Sequence, residues 1–458
     1  MNILYSGTLL AFLLIAISFW FRYKDPFHPA ILLLPLFSFL YGYMPLELYL
    51  SDPDRFLVYA GGEDAVRRYQ YITCGLVSAL VVGILIGSRG VRPKMASWRM
   101  LRIEAPKSAF LAFALGVVGL LSWLALVMSA GGLTGAYGNA YGGGYVASGY
   151  LREMRYLGLI GIPFVYLART GKKMRWVDWA LIALCLAPTL THAILGARRG
   201  PFFLSVIMAA GGYFYFLRKR ISLPVLIGGG LATGLTMLFL VANRESIYLG
   251  SDFSSGFSDP LDFLSRWESN EYLIGNAVVQ YADTHGYFYG ARELTWLIGR
   301  LLPKFIWPDV WVELPQILGL NFNLGLNGGV DPDALATISS WSPSVGSAEG
   351  FTGSLYLEFG PFAPMAAGII GWGFGAGWKS ARSNLAVRVV YLIMLAFSVY
   401  LVMQSLDPWL YRLLLFGLPA YAIVSQIQSR RTNFEILPGG RVRRISPRKP
   451  LHKVPRTM

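Results

Sequence analysis

The sequence predicts an all-α, polytopic integral membrane protein of about eleven transmembrane helices, with the N-terminus outside and the C-terminus inside. Of its 458 residues, 55% are hydrophobic and only 14% are charged, and the mean hydropathy is +0.49. The apolar residues occur in long blocks separated by short basic segments, which is typical of helices that face lipid. This composition excludes a disordered chain and most water-soluble folds.

The apolar blocks give the predicted spans directly, because a bilayer core of about 30 Å is crossed by roughly 20 helical residues. The block at 154–168 is short, and the block at 351–377 is long and rich in glycine and proline. The predicted spans are 3–21, 29–50, 70–88, 108–130, 154–168, 177–196, 201–217, 221–242, 351–377, 386–405 and 409–427.

The basic residues determine the predicted orientation. With the N-terminus outside, the cytoplasmic loops and the tail hold 27 of the 40 lysines and arginines but only four of the 25 acidic residues. Membrane proteins carry such an excess of positive charge on the inside. The net charge of +15 therefore reflects topology. The expected partner is the lipid bilayer, and no nucleic acid is expected.

The predicted organisation has four parts. Residues 1–242 contain helices 1 to 8, 243–349 form one large outward loop with interfacial helices, and 350–427 contain helices 9 to 11. Residues 428–458 form a basic, disordered cytoplasmic tail that lies on anionic headgroups. Both cysteines fall inside predicted helices, so we expect no disulfide.

The loop at 243–349 is expected to carry function, because long ordered insertions usually do. Its five tryptophans, Trp307 among them, offer flat rings that pack on sugars, and its basic side chains can bind phosphate. His285 lies in the same loop. An aromatic belt at the membrane interface is the alternative interpretation. The basic residues are Arg244, Arg266, Arg292, Arg300 and Lys304.

A second outward segment, 131–150, has eight glycines and four tyrosines in twenty residues. Such a chain is mobile until something orders it. It is interpreted as a lid or a glycan-contact loop, with a flexible connector as the alternative.

Three arginines lie at the predicted outer membrane boundary. Arg198 and Arg199 occupy the short GARRG turn between helices 6 and 7, and Arg244 closes helix 8. A charge at this depth is costly unless it reaches the surface or binds an anion. The diphosphate of a lipid-linked substrate would lie at the same depth, so an anion site is predicted. Snorkelling to the surface is the structural alternative.

Two carboxylates, Glu349 and Glu358, enter the ninth predicted helix in SAEGFTGSLYLEFGPF. Ionisable groups at the entry to a membrane segment are candidates for function. The histidines lack the spacing of a zinc site, and both DPD sequences are interpreted as turns, so no metal is expected.

Small residues follow these carboxylates in the same predicted helix. Gly371 with Gly375, and Gly373 with Gly377, are separated by three residues. Such pairs allow two helix backbones to approach closely, which predicts a packing role.

Three stretches together resemble the Wzy-type O-antigen and exopolysaccharide repeat-unit polymerases. LGARRGP at 195–201 is similar to the Gly-x-Arg-Gly turn of that family. LLPKFIWPD at 301–309 resembles its Ile-Pro-Arg-x-x-Trp-Pro segment. GSLYLEFGPFAP at 353–364 resembles its Gly-x-x-Tyr-x-Asn-Phe-Gly entry into a late helix.

Single positions within these stretches agree with or depart from the family pattern. Arg199 stands at the family's arginine, and Trp307 and Tyr356 match its aromatic positions. Lys304 replaces an arginine, which keeps the charge but loses the bidentate fork. Glu358 replaces the common asparagine.

The resemblance implies a glycosyltransferase that needs no cofactor and acts at the periplasmic face of the bacterial inner membrane. Its substrates would be undecaprenyl-diphosphate-linked oligosaccharide repeat units. A terminal hydroxyl of one unit attacks the anomeric carbon of the growing chain, and undecaprenyl diphosphate leaves. The product would be O-antigen of lipopolysaccharide or an exopolysaccharide. A flippase and a chain-length-regulating membrane protein are implied partners.

Site roles follow from this chemistry. Arg199, Arg244 and Arg292 are expected to bind the diphosphate, and Glu349 to act as the base. The other expected substrate-binding residues are Arg198, Arg300, Lys304, Trp307, Tyr356, Glu358 and His285. The alternatives for the base are Glu293, Glu358, Asp283 and His285.

Two other functions compete with polymerisation. An O-antigen ligase would transfer a finished glycan once and produce no ladder of lengths. A transporter of lipid-linked oligosaccharides would show internal repeats and charges near the middle of the membrane. The sequence shows no such repeat by inspection, and its charges cluster at the outer boundary, which favours a reaction site facing outward.

Overall fold

The structure of the protein is a computed structural model. It describes residues 1–91, 105–139, 149–217, 221–244, 246–249, 267, 270–302, 306–319, 330, 332–341, 348–427, 433–436 and 442–445. Within these residues the chain is helical apart from one pair of short strands. The predicted all-α class is therefore confirmed for the part of the chain that the structure describes.

Nine of the described helices are long and apolar enough to cross a membrane, which supports a multi-pass membrane protein. Three of them, α2, α10 and α19, continue through one π-helical turn each. Numbered in chain order, the nine are α1 (Asn2–Tyr23), α2 (Pro29–Ser51), α4 (Glu63–Gly87), α5 (Ala105–Ser129), α9 (Trp176–Leu195), α10 (Arg199–Leu217), α11 (Leu223–Ala242), α18 (Leu385–Met403) and α19 (Leu406–Ile427).

The remaining described helices connect these nine or pack between them. They are α3 (Pro53–Tyr59), α6 (Leu133–Tyr137), α7 (Gly149–Met154), α8 (Leu157–Ala168), α12 (Glu271–His285), α13 (Ala291–Leu301), α14 (Val310–Ile317), α15 (Pro332–Ser339), α16 (Gly350–Phe359) and α17 (Ala363–Ser380). Of these, α12 is buried along most of its length against α16 rather than lying on the surface.

The two irregular predicted spans take forms of their own. The block at 154–168 contains α8, whose 12 residues rise about 18 Å and cannot cross a bilayer core alone. The block at 351–377 is broken between α16 and α17 by a short 3-10 turn. Gly360 has a φ of 51°, and Pro361 cannot donate a backbone hydrogen bond, so an α-helix cannot continue there. The helix count of eleven and the orientation remain predictions.

Helices α4 and α17 pack with their backbones in contact. A Cβ atom on Gly371 would lie 2.0 Å from the carbonyl oxygen of Leu80, and one on Gly375 would lie 2.3 Å from that of Ile84. Only glycine permits this approach. The predicted role of the Gly371 and Gly375 pair is confirmed.

Helix α18 lies at the centre of the bundle. In its apolar 18-residue window 89% of the residues are buried, against 22% for α11. The outer helices expose large apolar side chains such as Leu14, Phe110 and Leu231, which is what a lipid-facing surface requires. The other described helices therefore pack around α18.

The described part of the tail is an antiparallel strand pair, β1 (Asn433–Ile436) and β2 (Val442–Ile445). Asn433 lies opposite Ile445 in this pair. The expectation of a disordered tail concerns residues that otherwise lie outside the described part of the chain.

Candidate active site

Four arginines meet beside the adjacent ends of α9, α10 and α11, and we call Arg155, Arg198, Arg199 and Arg244 the arginine cluster. Arg198 and Arg199 join α9 to α10, Arg244 follows α11, and Arg155 precedes α8. Burial lowers the pKa of Arg198, as do the nearby charges of Arg244 and Arg155. The positive charges of Arg244 and Arg199 also repel each other. The structure thus unites the three arginines predicted at this boundary and adds a fourth.

The geometry at the start of α10 requires a glycine after Arg199. The chain reverses at Ala197, which has a φ of 45°. A Cβ atom on Gly200 would lie 2.9 Å from the ring of Tyr400 on α18. Glycine therefore lets the start of α10, and with it Arg199, approach the central helix.

A buried carboxylate, Glu271, forms an ion pair with Arg199. Glu271 is 2% exposed and lies in the first turn of α12, where the helix dipole favours negative charge. Asn270 caps this helix by accepting from the backbone N–H groups of Tyr272 and Leu273 at 3.0 and 3.3 Å. The pair attaches the arginine cluster to the segment predicted as the outward loop.

A second buried pair continues from the arginine cluster. Arg412 donates to both oxygens of Glu153, each at 2.9 Å, and its guanidinium lies 4.3 Å from the ring centre of Tyr400. The hydroxyl groups of Tyr156 and Tyr400 are 3.5 Å apart, and Arg155 donates to Tyr156 at 3.3 Å. Polar contacts therefore run without a break from α19 to Arg155.

A third set, the Arg292 group, consists of Arg292, Glu349 and Glu358. Arg292 is 3% exposed and donates to Glu349 at 2.7 Å and to Glu358 at 2.5 Å. The backbone N–H of Gly290 donates to the second oxygen of Glu358 at 3.1 Å. Both carboxylates pair with Arg292, so the group is arranged as a buried ion triad.

Glu349, the expected base, is engaged in this triad. Its Oε1 accepts from Arg292, while its Oε2 is buried without a hydrogen-bond partner among the described residues. Burial raises the pKa of Glu349 although Arg292 opposes the shift. The role of Glu349 as the base remains a prediction.

A narrow cleft, too small to hold a water molecule, lies between α13 and α19, beside the Arg292 group. Within it, Arg300 lies 4.5 Å from the ring centre of Trp296 and 5.6 Å from that of Tyr411. On α13 the charged Arg292 and Glu293 are buried, whereas leucines are exposed on the opposite side. The cleft is lined by Glu293, Trp296, Leu297, Arg300, Asp407, Leu410 and Tyr411.

Other predicted residues lie in separate contacts. The Tyr356 hydroxyl is 3.0 Å from Asp283, which also pairs with Arg68 at 2.6 Å. His285 stacks on Tyr281 with ring centres 4.2 Å apart. These contacts connect α12 with α4 and α16 and include no member of the arginine cluster.

The aromatic residues of the predicted loop have mixed environments. Trp307 donates to Glu313 at 2.6 Å on the surface. Trp267 and Trp341 are buried against Tyr59, at ring distances of 5.7 and 5.8 Å, and these two serve packing.

Three predictions concern residues outside the described part of the chain. They are the roles of Arg266 and Lys304, and the glycine-rich segment at residues 140–148. The described start of that segment is packed, because Trp123 donates to the hydroxyl of Tyr137 at 3.0 Å. The proposed lid and the role of Lys304 remain predictions.

Sequence reasoning missed several charged residues of these groups. Asp407 and Arg412 lie at the start of the last apolar block, where any ionisable residue is a candidate for function. Applied there, that rule would have identified both. Glu153 and Glu271 had no such signal, because they lie in polar segments and acquire their partners only through folding.

No family model, curated protein or solved structure matches this chain. Function is therefore inferred from the side chains that the fold brings together. Among the described residues, no group of three or more histidines, cysteines or carboxylates is arranged to hold a metal ion. The chemistry available in this region is that of guanidiniums, carboxyls and aromatic rings.

Proposed function

We propose that this chain is a glycosyltransferase that polymerises oligosaccharide repeat units carried on a lipid diphosphate. The observation that carries the proposal is the arginine cluster beside the ends of three helices long and apolar enough to cross a membrane. A substrate with a lipid tail and an anionic headgroup places its diphosphate at such a boundary.

The arginine cluster suits a leaving diphosphate. Guanidiniums form bidentate, charge-assisted hydrogen bonds with phosphate oxygens. Mutual repulsion among Arg155, Arg198 and Arg244 is relieved when an anion binds, and burial strengthens the attraction. As the glycosidic C–O bond to the diphosphate breaks, its electron pair stays on the diphosphate, and preorganised positive charge stabilises that state.

The substrate and location of the proposal come from the sequence resemblance. The carrier would be undecaprenyl diphosphate, supplied at the outer leaflet of the inner membrane after a flippase has moved it. A chain-length regulator would act on the same polymer. The exposed leucines of α13 support an interfacial location, since that side of the helix can lie in the headgroup region.

The test is complementation of a strain from which the chromosomal copy has been deleted. We expect deletion to leave single lipid-linked repeat units, and wild type to restore a ladder of polymer lengths on a gel. Arg198→Ala and Arg199→Lys should lower polymer yield roughly 100-fold, as loss of a transition-state hydrogen-bond donor does. The lysine keeps a charge for Glu271 but loses the fork.

Arg67→Ala is the matched control. Arg67 is about half exposed and pairs only with its helix neighbour Glu63 in the described contacts, so its loss should leave the ladder intact. Membrane levels of each variant are compared by immunoblot. A full ladder from both cluster variants contradicts the proposed site. Long lipid-linked polymer that never reaches its acceptor would establish a ligase, and units retained in the inner leaflet a transporter.

A further inference from the structure

An exposed tyrosine, Tyr289, has a strained backbone in the segment that joins α12 to α13. Its φ of 51° lies in the left-handed region, where most residues other than glycine are disfavoured. Its side chain is 64% exposed. Because most of the ring is in solvent, packing alone does not account for a tyrosine at this strained position.

Backbone hydrogen bonds on both sides impose this conformation. The N–H of Phe288 donates to the carbonyl oxygen of Leu357 at 3.1 Å, and the N–H of Gly290 donates to the carboxylate of Glu358 at 3.1 Å. Both acceptors lie on α16. The segment is thus fixed to α16 on either side of Tyr289, and the ring is held at the surface before any ligand binds.

Tyr289 borders a group of polar side chains, and we call the whole set the tyrosine patch. The Tyr289 ring lies 6.0 Å from that of Tyr287, edge to face, and Tyr287 lies 5.6 Å from Tyr356 in the same way. The hydroxyl groups of Tyr287 and Tyr356 donate to one oxygen of Asp283 at 3.4 and 3.0 Å. Arg68 on α4 donates to the same oxygen at 2.7 Å. The members are Arg68, Asp283, Tyr287, Tyr289 and Tyr356.

The tyrosine patch has the chemistry of a sugar-binding surface. An exposed aromatic ring packs on the apolar face of a sugar, while hydroxyl, guanidinium and carboxylate groups bind its hydroxyls. The side chain of Arg68 is 55% exposed, so a ligand can reach both Arg68 and Tyr289 without entering a cavity. Asp283 balances the charge of Arg68 in an ion pair at 2.6 Å. Paired charges favour an uncharged, hydroxyl-rich ligand over an anionic headgroup, which a net positive charge would attract.

Helix α12 relates the tyrosine patch to the arginine cluster. Glu271 in its first turn pairs with Arg199, and Asp283 in its last turn belongs to the patch. The helix rises about 18 Å between these two carboxylates. A glycan whose diphosphate is bound at the arginine cluster would therefore reach the patch with a sugar distant from the reacting bond.

From this geometry we infer that the tyrosine patch is a subsite for a distant sugar of the lipid-linked repeat unit. The inference rests on the proposed glycosyl transfer. Tyr289 provides the flat face on which that sugar packs, and Arg68 and Asp283 bind its hydroxyls. The patch thus adds affinity for the glycan while the arginine cluster binds the diphosphate, and it selects units long enough to reach both.

The test compares two probes on the purified full-length chain in lipid nanodiscs. One is the lipid-linked single repeat unit extracted from the deletion strain, and the other is undecaprenyl diphosphate, which has no sugar. Dissociation constants for both probes are measured on wild type, Tyr289→Ala and Tyr289→Phe. Tyr421→Ala is the matched control, because Tyr421 is an exposed tyrosine on α19 and is not a member of the tyrosine patch.

We expect Tyr289→Ala to weaken binding of the repeat unit at least tenfold, as loss of an aromatic anchor does. Binding of undecaprenyl diphosphate should change less than twofold, because that probe has no sugar to contact the patch. Tyr289→Phe keeps the ring and should stay within threefold of wild type for both probes. Tyr421→Ala should match wild type.

Three results overturn the inference. The first is a Tyr289→Ala variant that binds the repeat unit within threefold of wild type. The second is an equal loss of affinity for both probes, because the ring would then act on the diphosphate or the lipid. The third is wild type that binds the repeat unit no more tightly than undecaprenyl diphosphate. Wild type that binds neither probe and produces no ladder instead refutes the proposed function.

A third substitution, Tyr289→Gly, guards against a folding defect. It removes the ring and also the backbone strain, which Tyr289→Ala retains, so it should melt above the alanine variant. Its affinities for the two probes should nevertheless match those of Tyr289→Ala. Recovery of repeat-unit binding in the glycine variant would show that the ring is not needed and would overturn the inference.

Discussion

Arg292 and Arg199 share a chemistry but not an environment. Arg292 is enclosed by Glu349 and Glu358, whereas Arg199 pairs with Glu271 beside three further arginines. Arginine is thus enclosed by counter-charges in one place, whereas in the other it lies where the proposed function requires an anion site. The contribution of Arg292 to stability can be measured without an activity assay.

Arg292→Met should destabilise the protein by about 3–5 kcal/mol, because it leaves two buried carboxylates without their counter-charge. Adding Glu349→Gln and Glu358→Gln to that variant should recover part of the loss. Thermal melting in detergent measures both. A single variant that melts like wild type would show that the ion triad does not stabilise the fold.

The raised pKa of Glu293 predicts a pH dependence of stability. Above the ordinary value of 4.5 the unfolded chain releases a proton that the folded protein retains, so stability falls as pH rises. Glu293→Gln removes this pH-dependent contribution to stability. The melting temperature of wild type should therefore fall relative to that of Glu293→Gln between about pH 5 and 8. Parallel plots of melting temperature against pH for the two proteins would contradict the raised pKa of Glu293.

At this scale the sequence could predict which residue types meet, but not their pairing. Arg198, Arg199 and Arg244 were predicted together, because each borders an apolar block at the same depth. The partners of Arg292 lie 57 and 66 positions away. Such pairing depends on how α13 packs against α16, which no local pattern encodes.

At the scale of elements, the contact between α4 and α17 depends on particular glycines. Gly371→Ala would place a methyl group against the Leu80 carbonyl, and forcing the backbones apart should cost about 1–3 kcal/mol. Gly373→Ala is the matched control, because a Cβ atom there has no described atom within 4 Å. Equal melting temperatures for the two variants would contradict the backbone contact.

Gly373 shows why the sequence predicted this packing only in part. Positions two residues apart point to nearly opposite sides of a helix, so both predicted pairs could not face α4. A Cβ atom on Gly377 would instead lie 3.1 Å from the ring of Tyr391 on α18. The spacing indicates that a close contact exists, whereas the partner helix is known only from the fold.

For the whole molecule, the predicted topology can be tested with reporter fusions. Alkaline phosphatase joined after residue 243 should be active and after 220 inactive, because the enzyme folds only outside the cytoplasm. A fusion at 172 tests whether α8 and its flanking residues cross the bilayer. Activity there would contradict the predicted cytoplasmic location of the loop at 169–175, which the positive-inside rule supports.

Helix α13 also restricts how this protein can be studied. Leu294 and Leu301 face outward while Arg292 and Glu293 face the bundle, the reverse of a helix in a water-soluble domain. Residues 243–349 expressed alone would present apolar side chains to water and lose the partners of their buried charges. The segment is therefore not a detachable module, and antibodies or inhibitors are best selected against the intact protein in lipid.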